Sequence, residues 1–300
     1  MKRKPKILVK KEEGICYKPS IQSYSAVFII TTLVYVRSID AEFVYDDRQA
    51  ILSNQDVVGD DPWLLDVFSH DFWGNPMSNR GSHKSFRPLT TLTFRAGRLL
   101  HGLQPQLFHA VNVFLHAATS CLVLMMMSKF LGKVGSLSSA TIFAVHAANT
   151  EAVCSIVGRA DILATATVIL GFLDFQRNEG TRLTPVFAIV ALFFKETGIV
   201  LLPLIGLHIV LMTLAPCFHM NDSGSAASDI FLTIILAQVQ LTTAGNAGVV
   251  EDDVEIKETR RRRRGGTSFT VDLAAHLLPT NCRRFFSRRE ERVAINGADV

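Results

Sequence analysis

Phe43-Val44-Tyr45-Asp46-Asp47 stands a few residues beyond the first long apolar run, residues 21–36. Two adjacent carboxylates just outside the end of an apolar helix decide how the rest of the chain is read. Their use depends on which side of a membrane they face and on what else faces that side. The run is shorter than the ~20 residues a span usually needs, but Tyr17 and Tyr35 supply interfacial ends. Upstream, Lys2, Arg3, Lys4, Lys6, Lys10, Lys11 and Lys18 stand against Glu12 and Glu13. Translocating so basic a segment is disfavoured, so residues 1–20 read as a cytosolic tail. No small-residue cleavage site follows, and the run reads as a retained signal anchor. Asp46 and Asp47 then emerge on the lumenal or extracellular side.

The rest of the chain has the distribution of a polytopic membrane protein. Hydrophobic residues make up 48% of the 300, an ordinary fraction for a soluble domain. Here they gather in long blocks, and the charges fall between the blocks. A net charge of +4 does not point to nucleic acid. The five cysteines include no CxxC pair, so neither a zinc site nor a disulfide framework is indicated.

Residues 37–106 form a long first lumenal loop with both tryptophans, Trp63 and Trp73. Two readings of that aromatic stretch stand side by side: a helix lying on the membrane surface, and a small lumenal subdomain with the aromatics in its core. Residues 107–127 are the second span. His109, Asn112 and His116 share one of its faces, a stripe that faces protein or water and not lipid. Lys129 and Lys133 mark a cytosolic loop, and the Ser- and Ala-rich residues 134–148 a third span suited to close packing. A lumenal link with Glu151, Arg159 and Asp161 precedes the fourth span, residues 162–175, and Arg177 and Arg182 mark the next cytosolic loop. Residues 185–194 and 199–212 are the fifth and sixth spans, with Lys195 and Glu196 lumenal between them. Residues 215–250 read as a linker whose weak apolar run, 230–240, begins a possible seventh span. The sequon Asn221-Asp222-Ser223 falls on the cytosolic side and is expected unmodified. Residues 251–300, with Arg260–Arg264, read as a basic, disordered or cytosolic tail.

Three charged clusters thus fall on one side: Asp46/Asp47, Glu151/Arg159/Asp161 and Lys195/Glu196. Singly, each reads as an ordinary polar loop. Together they offer a general base for a hydroxyl nucleophile and cations for a lipid-linked phosphate leaving group. Ion-coupled transport uses the same residue types, but no inverted repeat of broken spans supports it.

The ordered words Phe43-Val44-Tyr45-Asp46-Asp47, Phe86-Arg87-Pro88-Leu89-Thr90-Thr91-Leu92-Thr93-Phe94 and Phe108-His109-Ala110-Val111-Asn112-Val113-Phe114-Leu115-His116 carry a resemblance. It continues through His146-Ala147-Ala148-Asn149-Thr150-Glu151-Ala152-Val153, Val157-Gly158-Arg159-Ala160-Asp161 and Phe194-Lys195-Glu196-Thr197-Gly198. This set closely resembles the transmembrane and tetratricopeptide-repeat-containing O-mannosyltransferases of the C-type (GT-C) glycosyltransferase superfamily. The resemblance implies an all-α, polytopic GT-C-like bundle in the endoplasmic-reticulum membrane. It implies inverting transfer of mannose from dolichyl phosphate mannose to Ser or Thr of secretory-pathway proteins, cadherin domains among them. Partners are then the dolichol-linked sugar, those protein acceptors and membrane lipid. No metal or other cofactor is implied. Carried over, one acid of Asp46/Asp47 deprotonates the acceptor, Asp47 being favoured. Glu151 joins the catalytic set, and Arg159 and Lys195, with Glu196, face phosphate. Arg87 either contacts phosphate or pairs with a loop acid.

Two departures stand out: Ala147 replaces the family's Pro, and no repeat of about 34 residues follows Met212. The chain therefore reads as a C-terminally truncated form without its repeat array. A non-catalytic, partner-binding membrane protein is the alternative.

Overall fold

A computed structural model of the chain describes residues 17–60, 64–178 and 183–214. The readings placed on residues 1–16, Trp63, Arg182 and 215–300, the sequon and tail included, lie outside these. The described residues are helical, with no β-strand beyond an isolated bridge between His70 and Pro76. In chain order the helices are α1 (Ile21–Tyr35), α2 (Gln55–Val58), α3 (Pro88–His101), α4 (Pro105–Met127), α5 (Lys133–Val145), α6 (Asn149–Cys154), α7 (Arg159–Asn178), α8 (Thr184–Phe194) and α9 (Leu201–Leu214).

Local chemistry sets the boundaries. The Ser20 side chain caps α1 by accepting from the Ser23 amide. Prolines stand in the first turn of α3, α4 and α8, where the missing N–H has no helical partner to lose. α3 ends at Gly102, whose φ of +70° suits glycine. This helix, the Phe86–Phe94 motif continued, lies in what reads as loop from the sequence.

α4 is the described helix long and apolar enough to cross a membrane; its 23 residues span about 34 Å against a hydrocarbon core of about 30 Å. α5, α8 and the run from Glu196 to Val210 are apolar but shorter. α1 has 15 residues and continues into a tight 3₁₀ turn, Val36–Asp40.

The distribution of polarity is inverted relative to a water-soluble bundle. α1 turns Ser23, Val27, Thr31 and Tyr35 inward, while Ile21, Ile29 and Leu33 face outward. α4 buries His109, Asn112, His116, Thr119 and Ser120 and exposes Leu107, Val111 and Phe114. α5 buries Ser136, Ser139 and Ala140 and exposes Val134 and Ile142. Buried hydroxyls bond back to carbonyls one turn earlier: Thr31 to Val27, Thr119 to Leu115, Ser139 to Gly135 and Thr167 to Leu163. The polar stripe of α4 faces protein, as its spacing requires. His116 Nε2 meets the Ala144 carbonyl at 3.1 Å and joins α4 to α5.

α4 packs against α1, α5 and α7, and α7 carries α8 and α9. Val27, Leu124, Met127, Phe143, Phe172, Ala191 and Leu201 are among the residues at the bundle's centre. A second core caps one end: Phe43, Ala50, Ile51, Val57, Phe72 and Phe94 of the loop close over Phe108 and Ile156. Phe72 is buried within it and Trp73 packs against its rim, so the described part of the aromatic stretch builds a subdomain core. Two cysteines are described: Cys121 is a free thiol, and Cys154 is disulfide-bonded, a bond the cysteine spacing does not signal.

Candidate functional site at the loop-capped end

The turn that carries the two acids is tight. The Asp47 amide donates to the Val44 carbonyl at 2.9 Å and Arg48 N to Tyr45 O at 3.2 Å. Arg48 Nε also holds the Phe43 carbonyl at 2.9 Å. The outcome separates neighbours: Asp47 is fully buried, and Asp46 is half-buried.

Asp47 reaches across to the link between α6 and α7. Its Oδ1 accepts from the Val157 amide at 3.0 Å and from Ser155 Oγ at 3.2 Å, while Oδ2 accepts from the Val44 amide at 3.4 Å. Burial pushes its carboxyl up to about 6, although the amide and hydroxyl donors pull it back.

The same link places Arg159, the largest of the fully buried side chains. Its Nε donates to Asn112 Oδ1 at 2.8 Å and its Nη2 to the Phe108 carbonyl at 3.0 Å. The guanidinium lies 5.0 Å from the Phe94 ring centre and 5.5 Å from that of Phe108. Asn112 completes the clasp by donating to the carbonyls of Ser155 and Ile156. Gly158 is needed here, because a Cβ would lie 2.4 Å from the Ala152 carbonyl oxygen. Glu151 sits half-buried on α6.

Two further ion pairs complete the end. Lys195 Nζ donates to Asp161 Oδ1 at 2.7 Å, both side chains buried. Burial lowers the ammonium's pKa, and the Asp161 charge opposes that. Nearby, Arg87 Nε donates to Glu196 Oε2 at 3.0 Å near the surface, with its guanidinium over the Phe72 ring. Thr90 Oγ1 donates to the Phe194 carbonyl at 2.8 Å, which fixes α3 on the end of α8.

The structure therefore brings the three sequence clusters to one end of the bundle, as two linked groups. One is Asp47 with Arg159; the other is Asp161–Lys195 with Arg87–Glu196. Arg87 pairs with an acid that lies just after α8, Glu196, and not with one of the first loop. Arg159 and Asp47 face inward and make a clasp. Asn112 and Ser155 are added. The α4 stripe signalled Asn112; Ser155 and the Val157 amide leave no trace in residue type. No cluster of three metal-ligating side chains occurs among the described residues.

The described residues together define a mostly helical fold with a candidate membrane helix and a charged, loop-covered end. By sequence the chain is similar to proteins named as TMTC protein O-mannosyltransferases. It is 42% identical to the Drosophila melanogaster protein O-mannosyl-transferase Tmtc1 over 186 residues, which is 60% of this chain and 22% of that one. It is 40% identical to human TMTC3 over 57% of this chain and 20% of the relative. It is 33% identical to mouse TMTC4 over 77% of this chain and 36% of the relative. The chain thus spans about a fifth to a third of the length of the curated relatives it matches. No protein-family model matches the chain, and no solved structure does.

Proposed function

We propose that this chain carries the mannosyl-transfer site of a polytopic, GT-C-like bundle in the endoplasmic-reticulum membrane. Its reaction moves mannose from dolichyl phosphate mannose to Ser or Thr of secretory-pathway proteins, cadherin domains among them, at the lumenal face. The names of the relatives support the chemistry. The outward apolar and inward polar faces of α1, α4 and α5 support a lipid surround.

The observation that carries the reading is the acid turn clasped onto the α6–α7 link, with Asp47 sealed and Asp46 accessible. A general base must reach the hydroxyl it deprotonates. That moves the base from Asp47, favoured by the sequence, to Asp46. Asp46 takes the hydroxyl proton, and the oxygen attacks the sugar's anomeric carbon from the face opposite the phosphate. The carbon–oxygen bond to phosphate breaks, its electron pair leaves with dolichyl phosphate, and the sugar carbon inverts. Asp47 and Arg159 position the turn. Arg87, near the surface, receives the phosphate charge, Lys195 adds its charge from behind it, buried against Asp161, and Glu151 and Glu196 orient these groups.

Microsomes containing the chain, dolichyl phosphate mannose and a cadherin domain test this. Asp46→Asn is expected to lower transfer by about 100-fold or more. Transfer at the wild-type rate with Asp46 and Asp47 both changed to Asn sinks the assignment.

A further inference from the structure

Tyr45 has a φ of +44°, a left-handed conformation shared among the described non-glycine residues with Lys84 at +59°. A bulky residue rarely adopts it, and such conformations persist where the surroundings over-determine them. Here they do. Both flanks are tied: the Val44 amide to Asp47 Oδ2, and Arg48 Nε to the Phe43 carbonyl. The Phe43 ring is anchored edge-on to Phe108 at 5.7 Å. A glycine would fill position 45 without strain. The chain instead carries a large ring there and leaves it 56% exposed, one residue before the accessible acid.

We propose that Tyr45 is the platform on which the acceptor polypeptide rests beside its reacting hydroxyl. This rests on the transfer reaction above. In that reaction the base touches the acceptor oxygen, and inversion puts the donor sugar and its phosphate beyond it. Of the two neighbours of Asp46, Asp47 is sealed against the α6–α7 link and Tyr45 is open to solvent, so Tyr45 is the one on the face an acceptor approaches. Consecutive Cα atoms are about 3.8 Å apart, so a ring at position 45 reaches the residues that flank a hydroxyl held at Asp46. A tyrosine offers a flat apolar face and a polar tip with few rotatable bonds to freeze.

The test separates this contact from the reaction. Tyr45→benzoylphenylalanine in the microsomal chain is expected to photocrosslink to the cadherin domain, and excess unlabelled domain to compete it. No crosslink overturns the proposal. The crosslink reads binding, so it decides even where the wild-type chain transfers no mannose, a result that defeats the proposed reaction instead. With a transferring chain, Tyr45→Ala is expected to raise the acceptor KM about five- to tenfold while the donor KM stays unchanged. Tyr45→Phe is expected to retain the wild-type value. Tyr45→Gly, which relieves the backbone and removes the ring, is expected to unfold at higher temperature yet share the KM defect. A raised donor KM, an unchanged acceptor KM in Tyr45→Ala, or no rescue by Phe overturns the assignment.

Discussion

Asp47 and Asp46 are neighbours of the same type placed in opposite environments, and residue type alone does not separate them. What separates them is the Val157 amide and Ser155 hydroxyl, supplied by chain more than 100 residues away. A main-chain N–H belongs to every residue but proline, so no sequence pattern announces which one a buried carboxylate will meet. The polar stripe of α4 was legible, because three- and four-residue spacing fixes a helix face. That Asn112 on this stripe would hold Arg159 was not.

The buried acid has a measurable consequence. Its carboxyl is raised from 3.8 to about 6, so the folded state holds a proton that the unfolded chain releases. This contribution to stability is whole below about 4 and is lost as pH rises through about 6; the shift corresponds to about 3 kcal/mol. Asp47→Asn keeps the shape but removes the titration. Thermal unfolding of the detergent-solubilised chain between pH 4 and 7 is expected to show this decline in the wild type and a flatter profile in the variant. Parallel profiles contradict the raised carboxyl.

At the scale of elements, helix positions follow from apolar blocks and prolines. The expected spans 107–127, 134–148 and 162–175 correspond to α4, α5 and α7, with boundaries a few residues off. α3 was hidden because threonines and arginines break its apolar residues into short pieces with no long run. What holds the elements together is close contact at small residues. A Cβ on Gly158 would meet the Ala152 backbone at 2.4 Å, and one on Gly198 would meet the Ala191 backbone at 2.3 Å. Neither neighbour is a side-chain tip that can swing aside. Gly158→Ala and Gly198→Ala are each expected to lower stability by about 1–3 kcal/mol. Gly206→Ala, in α9 with nothing within 4 Å, is expected to be neutral or to stabilise by up to about 1 kcal/mol. Equal effects at all three would refute the close approaches.

The Asp161–Lys195 pair joins the start of α7 to the end of α8. Removing one partner takes a buried charge's 2.7 Å ion-pair partner away, so Lys195→Met is expected to cost about 3–5 kcal/mol. Adding Asp161→Asn to it should recover part of that loss. A double-mutant cycle in denaturant reads the coupling directly.

For the whole molecule, alternation of apolar blocks placed the charged ends together, and the contacts among Asp47, Ser155, Asp161, Lys195, Arg87 and Glu196 agree with that placement. The sequence could not say that the loop closes over this end with a core of its own. Such a core depends on which aromatics meet, and Phe43, Phe72, Phe94 and Phe108 are spread over 65 positions. The sidedness is open to measurement in sealed microsomes. Gly81→Ser turns the exposed Asn79-Arg80 into a sequon, and its glycosylation is expected. Glu196→Cys is expected to resist a membrane-impermeant maleimide until the membrane is opened, whereas Lys129→Cys reacts at once. Labelling of Glu196→Cys in intact vesicles would put its end of the bundle in the cytosol and dissolve the shared site.

The clasp between Asp47 and the α6–α7 link also sets a timetable for biosynthesis. The bonds join residues 108 and 110 positions apart, and Arg87 likewise lies 109 positions ahead of Glu196. At about 5–20 residues per second, a ribosome needs roughly 5–20 s after making Asp47 before its partners exist. For that interval the first loop has its acids and aromatics without the helices that close them in. The newborn loop is therefore a natural client for chaperones, and a ribosome that stalls before Val157 leaves it without its latch.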